Sequence, residues 1–274
     1  MKIGDSPSVD LGPRYRVVHC LQRDAFGSVY HAEDGVLQRP VAVTVIDDPL
    51  ADVDAKAGRR ERFRREMRII AGIDHLNVAK IRDIIETPAG LPAVVADYRP
   101  GESLLERMKR GPLRVADAMM LASQIAAGMA AAHDAGLFLP ELKPSAIHVS
   151  EDDEVVLFYL DVSARMTPGL LGTIVYMAPE QVAGRGVDRR TDVWNLGMVV
   201  YEMLTGRRAF GDGELGSHVR SILFDPVAPP SGFRADVPPA LDAILTRALD
   251  KNPDRRYPSA AAFLGDVRQA AAAL

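Results

Sequence analysis

Between Val193 and Leu204 the chain reads VWNLGMVVYEML, and only Asn195 and Glu202 in that run are polar. A helix apolar on nearly every face belongs in a protein interior. The run is also shorter than the roughly 20 apolar residues that span a bilayer. It is therefore expected to be the central post of a helical body. Thr191 is the expected N-cap, and Gly206 the left-handed residue that stops the helix.

With 274 residues, 47% of them hydrophobic and 26% charged, the chain has the composition of an ordinary globular protein with a sizeable core. A net charge of −4 gives no ground for a nucleic-acid partner. Cys20 is the single cysteine, so no intramolecular disulfide can form and a reducing compartment fits. The opening MKIGDSPSVDLGPR has no apolar h-region, so no signal peptide is expected. The apolar run 118–132 is broken by Ser123 and Gln124, so no membrane span is expected either. Together these predict a cytoplasmic protein.

Two stretches point to a family. Gly172 to Gln181 reads GTIVYMAPEQ, and Asp192 to Gly197 reads DVWNLG. In this order they resemble the end of the activation segment and the following helix of protein kinases, in the style of bacterial serine/threonine kinases of the eukaryotic type. The resemblance runs from about Arg14 to the C-terminus. It implies an α+β, bilobal, protein-kinase-like fold. Residues 14–99 would form a small antiparallel β-sheet N-lobe with one main helix, and residues 100–274 a large, mostly α-helical C-lobe. Residues 1–13 are expected to be a flexible tail.

The chemistry that the family needs is hard to find. Arg14–Val18 and Ser28–Ala32 read as a hairpin, the place of the glycine-rich loop whose backbone approaches the ATP phosphates. Only Gly27 of the three glycines remains; Gln22 and Asp24 hold the other two places. In the strand Val41-Ala42-Val43-Thr44, Thr44 occupies the place of the phosphate-gripping lysine. Glu66, on a helix over roughly 57–71 with Phe63, Met67 and Ile70 along one face, matches that lysine's glutamate partner. Val29, Ala42 and Ala96, the last in the gatekeeper place, would line the nucleotide pocket with Gly27, and His148 would lie beneath the adenine.

Lys143-Pro144 anchors the family's catalytic loop, whose His-Arg-Asp is here Leu139-Pro140-Glu141 and whose asparagine is Ala146. The aspartate takes the substrate proton and the asparagine binds Mg²⁺. Glu141 keeps a carboxylate on a longer arm; it is either a displaced base or a surface group at a turn. The metal-binding aspartate is Tyr159 if the strand Val155–Phe158 ends in register, or Asp161 if the segment slides by two; the count from Glu141 keeps the family's spacing and selects Tyr159. Lysine, base and both metal ligands are thus replaced. The groups that hold the large lobe together are kept: Lys143, Glu180 with Arg256, and Asp192. That split predicts a pseudokinase, with no catalytic residue and no cofactor, weak or metal-independent ATP binding aside. Its partners would be proteins, such as an active kinase or a phosphopeptide-binding module. The alternative is an atypical phosphotransferase or nucleotidyltransferase in which Arg23 grips phosphate while Glu141 and Asp161 hold metal. Six arginines between positions 59 and 68, among them Arg59, Arg60, Arg64 and Arg68, read either as a solvated helix face or as a docking patch. The acidic run 151–154 reads as a solvated turn with some capacity for a cation.

Overall fold

The computed structural model describes residues 9–24, 27–46, 61, 64–138, 142–158, 174–211 and 214–273. They fall into two compact units, one of residues up to 74 plus 79–100, the other of residues 75–78 plus 101–274.

The first unit is an antiparallel sheet of five strands: β1 (Tyr15–Asp24), β2 (Gly27–Asp34), β3 (Arg39–Ile46), β4 (Ile81–Glu86) and β5 (Pro92–Asp97). Their spatial order is β1-β2-β3-β5-β4. A helix over 64–71, α1, buries Met67 and Ile70 at helical spacing; Phe63 lies outside the described residues. Strand β3 carries five consecutive buried residues, Val41 to Val45, which marks it as the strand covered on both faces. The hairpin strands run longer than the sequence suggested, because cross-strand pairing continues from Tyr15↔Asp34 to Asp24↔Gly27.

The expectation of a flexible tail needs a correction at residues 9–13, while 1–8 lie outside the described residues. Leu11 is only 4% exposed and joins Tyr15, Tyr30, Ala32, Val41, Val43, Val45, Ala93 and Val95 in one apolar cluster, with Val9 packed against it. Burying a leucine stabilises by about 1.5–3 kcal/mol, which offsets part of the entropy of ordering a free end. Arg14 fastens the same corner. Its guanidinium grips the buried Asp34 carboxylate with two bonds, 3.0 and 2.8 Å, and reaches Asp83 at 3.0 Å. The Asp83 carboxylate also accepts from the Tyr15 hydroxyl at 2.9 Å. Beside Arg14, Asp34 is held down to about 2.

The second unit contains a small sheet of β6 (Gly101–Ser103), β7 (Ile147–Ser150) and β8 (Val155–Leu157), and helices α2 (Leu104–Met108) and α3 (Val115–Asp134). After these come α4 (Pro179–Val182), α5 (Arg189–Thr205), α6 (Leu215–Phe224), α7 (Pro239–Ala248) and α8 (Ala260–Ala271). Helix α5 is the apolar post, with all but three of its 17 residues buried. Its N-cap is Asp188, not Thr191. The Asp188 carboxylate accepts from the Arg190 amide at 2.8 Å, and Thr191 returns as the third helical residue of a capping box, accepting from the Asp188 amide. Gly206 closes the helix at φ 67°. The two polar residues inside the post have one purpose. Asn195 donates to the Tyr176 carbonyl at 2.6 Å, and Glu202 accepts from the Tyr176 hydroxyl at 2.6 Å, so both hold the segment before α4.

Helix α3 is long and apolar enough by composition to cross a membrane, with mean hydropathy 1.4, but it is packed between α5 and α8 as a core helix. Its polar interruptions are both satisfied. Ser123 bonds back to the Met119 carbonyl, while Gln124 accepts from Asn77 and the Val155 amide and donates to the Asp153 carbonyl.

Candidate functional site

In the first unit the strand register decides which side chains share a face. Val29 lies opposite Thr44 and His31 opposite Ala42, while Thr44 and Ala42 in turn lie opposite Val94 and Ala96. Directly opposed residues project to the same side of a sheet. Val29, His31, Ala42, Thr44 and Ala96 therefore form one face, and Tyr30, Ala32, Val43 and Val45 form the other, which is the apolar cluster. The Thr44 side brings a hydroxyl and no charge, on a residue 9% exposed.

Arg23 is on the wrong side of this arrangement to replace a lysine. It pairs with Ser28, and its guanidinium donates to the Tyr30 hydroxyl at 3.3 Å, on the face opposite Val29 and Thr44. Gly27 has a structural explanation of its own. A Cβ there would stand 2.4 Å from the Val45 carbonyl oxygen, so β3 passes too close for any side chain.

A group not singled out in the sequence sits at the end of the same face. His31 stacks on Tyr98, ring centroids 4.0 Å apart and planes 8° apart, and His19 meets His31 edge-on at 5.1 Å. Both ring nitrogens of His31 are buried without a hydrogen-bond partner among the described residues. A buried polar group left unpaired costs about 1–3 kcal/mol. Burial and the neighbouring His19 push the His31 imidazolium below its usual range. The only sequence signal for this group was the pairing of two histidines on adjacent strands, legible once the register is known.

In the second unit Lys143 precedes a 3₁₀ turn over Pro144–Ala146, whose last residue is the half-buried Ala146. A methyl group there offers nothing to a metal ion. His148 is half-buried in β7, opposite Ser103 and Val156, with its ring edge-on to Phe158 at 6.1 Å. Its Nε2 is 2.9 Å from where a Cβ on Gly101 would stand, so the ring packs over that glycine. Asp192 is fully buried, and its Oδ2 lies 2.9 Å from His133 Nε2. Glu180 and Arg256 form a buried bidentate pair at 2.7 and 2.8 Å, and Thr191 donates to the same Glu180 oxygen at 2.7 Å. These bonds keep the Glu180 carboxyl below the usual carboxylate range despite its burial.

Residues 15–266 match the family model described as "Protein kinase domain". The chain belongs to the protein kinase domain family. It is similar to the serine/threonine-protein kinase PknB of Mycolicibacterium smegmatis, with 34% identity over 271 residues, 94% of this chain and 43% of the relative. Serine/threonine-protein kinase PksC of Streptomyces coelicolor shares 32% over 279 residues, 95% of this chain and 50% of the relative. A probable serine/threonine-protein kinase of Clostridium perfringens shares 29% over 268 residues, 94% and 38%. The chain thus spans half or less of the length of these relatives.

In this kinase domain Glu66 is half-buried on α1, and Arg64 and Arg68 on the same helix are exposed. Arg59, Arg60, Glu141, Tyr159 and Asp161 lie outside the described residues, as does the side chain of Asp24. The acidic turn 151–154 is engaged in the fold: Asp153, at φ 60°, pairs with Arg107, and the Glu154 amide donates to Ser150. Among the described residues no three His, Cys, Asp or Glu side chains converge as a metal site.

Proposed function

We propose that this kinase domain is a pseudokinase that acts by binding proteins, as a scaffold or as an allosteric regulator in signalling. The observation that carries the reading is Thr44. It stands in the middle of β3, on the face it shares with Val29, Ala42 and Ala96, where the family's lysine would reach ATP. Phosphoryl transfer depends almost wholly on positioned cations and metal ligands. The sequence carries alanine at position 146 and either tyrosine or a displaced aspartate at the second metal place. Arg23, turned to the opposite face, lends no support to a relocated phosphate grip. The partners this reading implies are an active kinase or a phosphopeptide-binding module, and a reducing, cytoplasmic setting suits the lone Cys20.

The test is a thermal melt of the protein with millimolar ATP, in Mg²⁺, in Mn²⁺ and in chelator, beside a labelled-phosphate transfer assay. A ligand at about 100 times its dissociation constant stabilises by roughly 2.7 kcal/mol. The expected result is no metal-dependent shift and no transfer. A metal-dependent rise of the midpoint together with labelled product would overturn the reading.

A further inference from the structure

We propose that His19 and His31 form a binding site for a borderline first-row divalent ion, of the Zn²⁺, Ni²⁺ or Cu²⁺ class. The site lies at the end of the face that carries Val29 and Ala42, and the proposal is independent of whether phosphate is transferred.

Three observations converge. His19 and His31 are direct cross-strand partners in β1 and β2. Opposed residues of an antiparallel pair have Cβ atoms about 4.5–5.5 Å apart, a separation that lets two imidazoles share one ion at about 2.0–2.1 Å from each nitrogen. Next, both His31 nitrogens are buried and unpaired among the described residues, and an orphaned buried donor and acceptor call for an explanation such as an ion. Finally, the stack on Tyr98 uses the face of the His31 ring. A nitrogen lone pair lies in the ring plane, so stacking orients the ligand without using its donor atom.

Imidazole nitrogen selects Zn²⁺, Cu²⁺ and Ni²⁺ over Mg²⁺ and Ca²⁺, which take oxygen. His31 is held by Tyr98 and by its strand. His19 is exposed, so its ring is free to turn from the edge-on contact until both rings present a nitrogen to one ion. Water fills the remaining positions. Glu33, two residues along β2 on the side of His31, adds a negative field there while paired with Arg16. The ion would fasten β1 to β2 and, through the Tyr98 stack, to the segment that leaves β5.

The test uses tag-free protein titrated with ZnCl₂ and NiCl₂, read by melting midpoint and by calorimetric stoichiometry. His19→Gln and His31→Phe are the variants; the second keeps a ring against Tyr98. Cys20→Ser controls for the thiol. The expected result is one ion per chain and a raised midpoint, lost in both histidine variants, kept in Cys20→Ser and not reproduced by MgCl₂. No shift with Zn²⁺ or Ni²⁺, or a shift that survives either histidine variant, would overturn the site.

Discussion

Arg256 holds Glu180 with two parallel bonds, 2.7 and 2.8 Å long, across 76 residues of chain and with neither side chain more than 6% exposed. The same guanidinium donates to the carbonyls of Asp250 and Arg190 and lies over the Trp194 ring at 5.0 Å. One cation thereby ties α4, the start of α5 and the turn before α8. Breaking a buried pair on one side leaves an uncompensated charge and costs about 3–5 kcal/mol. Glu180→Gln should lose about that much in urea unfolding. A loss under 1 kcal/mol would show that the pair is not a keystone of this unit.

The pair also carries a pH signature. Glu180 has a folded pKa below its unfolded value, so the folded state binds fewer protons near that value. Its contribution is fully present above the unfolded carboxyl pKa of about 4.3 and disappears as pH falls through the folded one. Between pH 5 and 3 the parent should therefore lose stability more steeply than Glu180→Gln. Parallel slopes in acid titrations of the two proteins would contradict this.

Lys251 shifts in the same direction for the opposite reason, because its charged form is the one that burial penalises. Its ammonium lies 3.5 Å from the centre of the Phe210 ring and donates to the carbonyls of Ser221 and Ile222 at 3.1 and 2.6 Å. Burial lowers it to about 8. Between pH 8 and the unfolded value near 10.4 the unfolded chain binds more protons, so Lys251 makes stability rise with pH there. The stability of Lys251→Met relative to the parent should fall from pH 7.5 to 9.5 in denaturant titrations. A constant difference would mean that the carbonyls and rings hold the charge without penalty.

Gly27→Ala separates a phosphate role from a packing role. The new methyl would meet the Val45 carbonyl at 2.4 Å, and overpacking of this kind costs about 1–3 kcal/mol. The midpoint should drop in the absence of any nucleotide. An unchanged midpoint would return Gly27 to the list of ligand-facing residues.

Thr44→Lys restores a cation at the centre of β3. Catalysis should nonetheless stay at background, because residues that handle phosphate act as a unit and Ala146 still offers the metal nothing. Labelled transfer to a generic protein substrate by this single variant would show that only one part had been missing.

Much of the fold was legible because its signals are local. The apolar run 193–204 announced a buried helix, Gly206 announced its end, and the alternating hairpin residues announced strands. The cap was misplaced by three residues because Asp188 and Thr191 are both good capping types. Their roles separate only when Thr191 is seen to bond both the Asp188 amide and Glu180. Leu11 was read as tail because a single leucine among glycine and proline carries no periodicity; its burial depends on Tyr15 and the sheet face it meets. The direction of Arg23 was illegible for a related reason. A strand puts alternate residues on opposite faces, so a one-residue uncertainty in register decides whether a cation faces the nucleotide side or Tyr30. The histidine pair depends on that same register.

Residues 75–78 belong to the second unit although the chain on either side of them belongs to the first. Asn77 reaches Gln124 at 3.1 Å and the Val155 carbonyl at 2.8 Å, and its own carbonyl receives the Leu157 amide at 2.9 Å. Gly128 leaves it room, since a Cβ there would stand 2.8 Å from the Asn77 carbonyl oxygen. No single scissile point can therefore divide this chain into two self-sufficient halves. A fragment ending near Pro100 would carry off the tetrapeptide that completes α3 and β8, leaving the downstream piece with a slot in its interior. Isolated expression or grafting of the piece that begins at Gly101 inherits that defect, whereas circular permutation there keeps the tetrapeptide in the chain and does not.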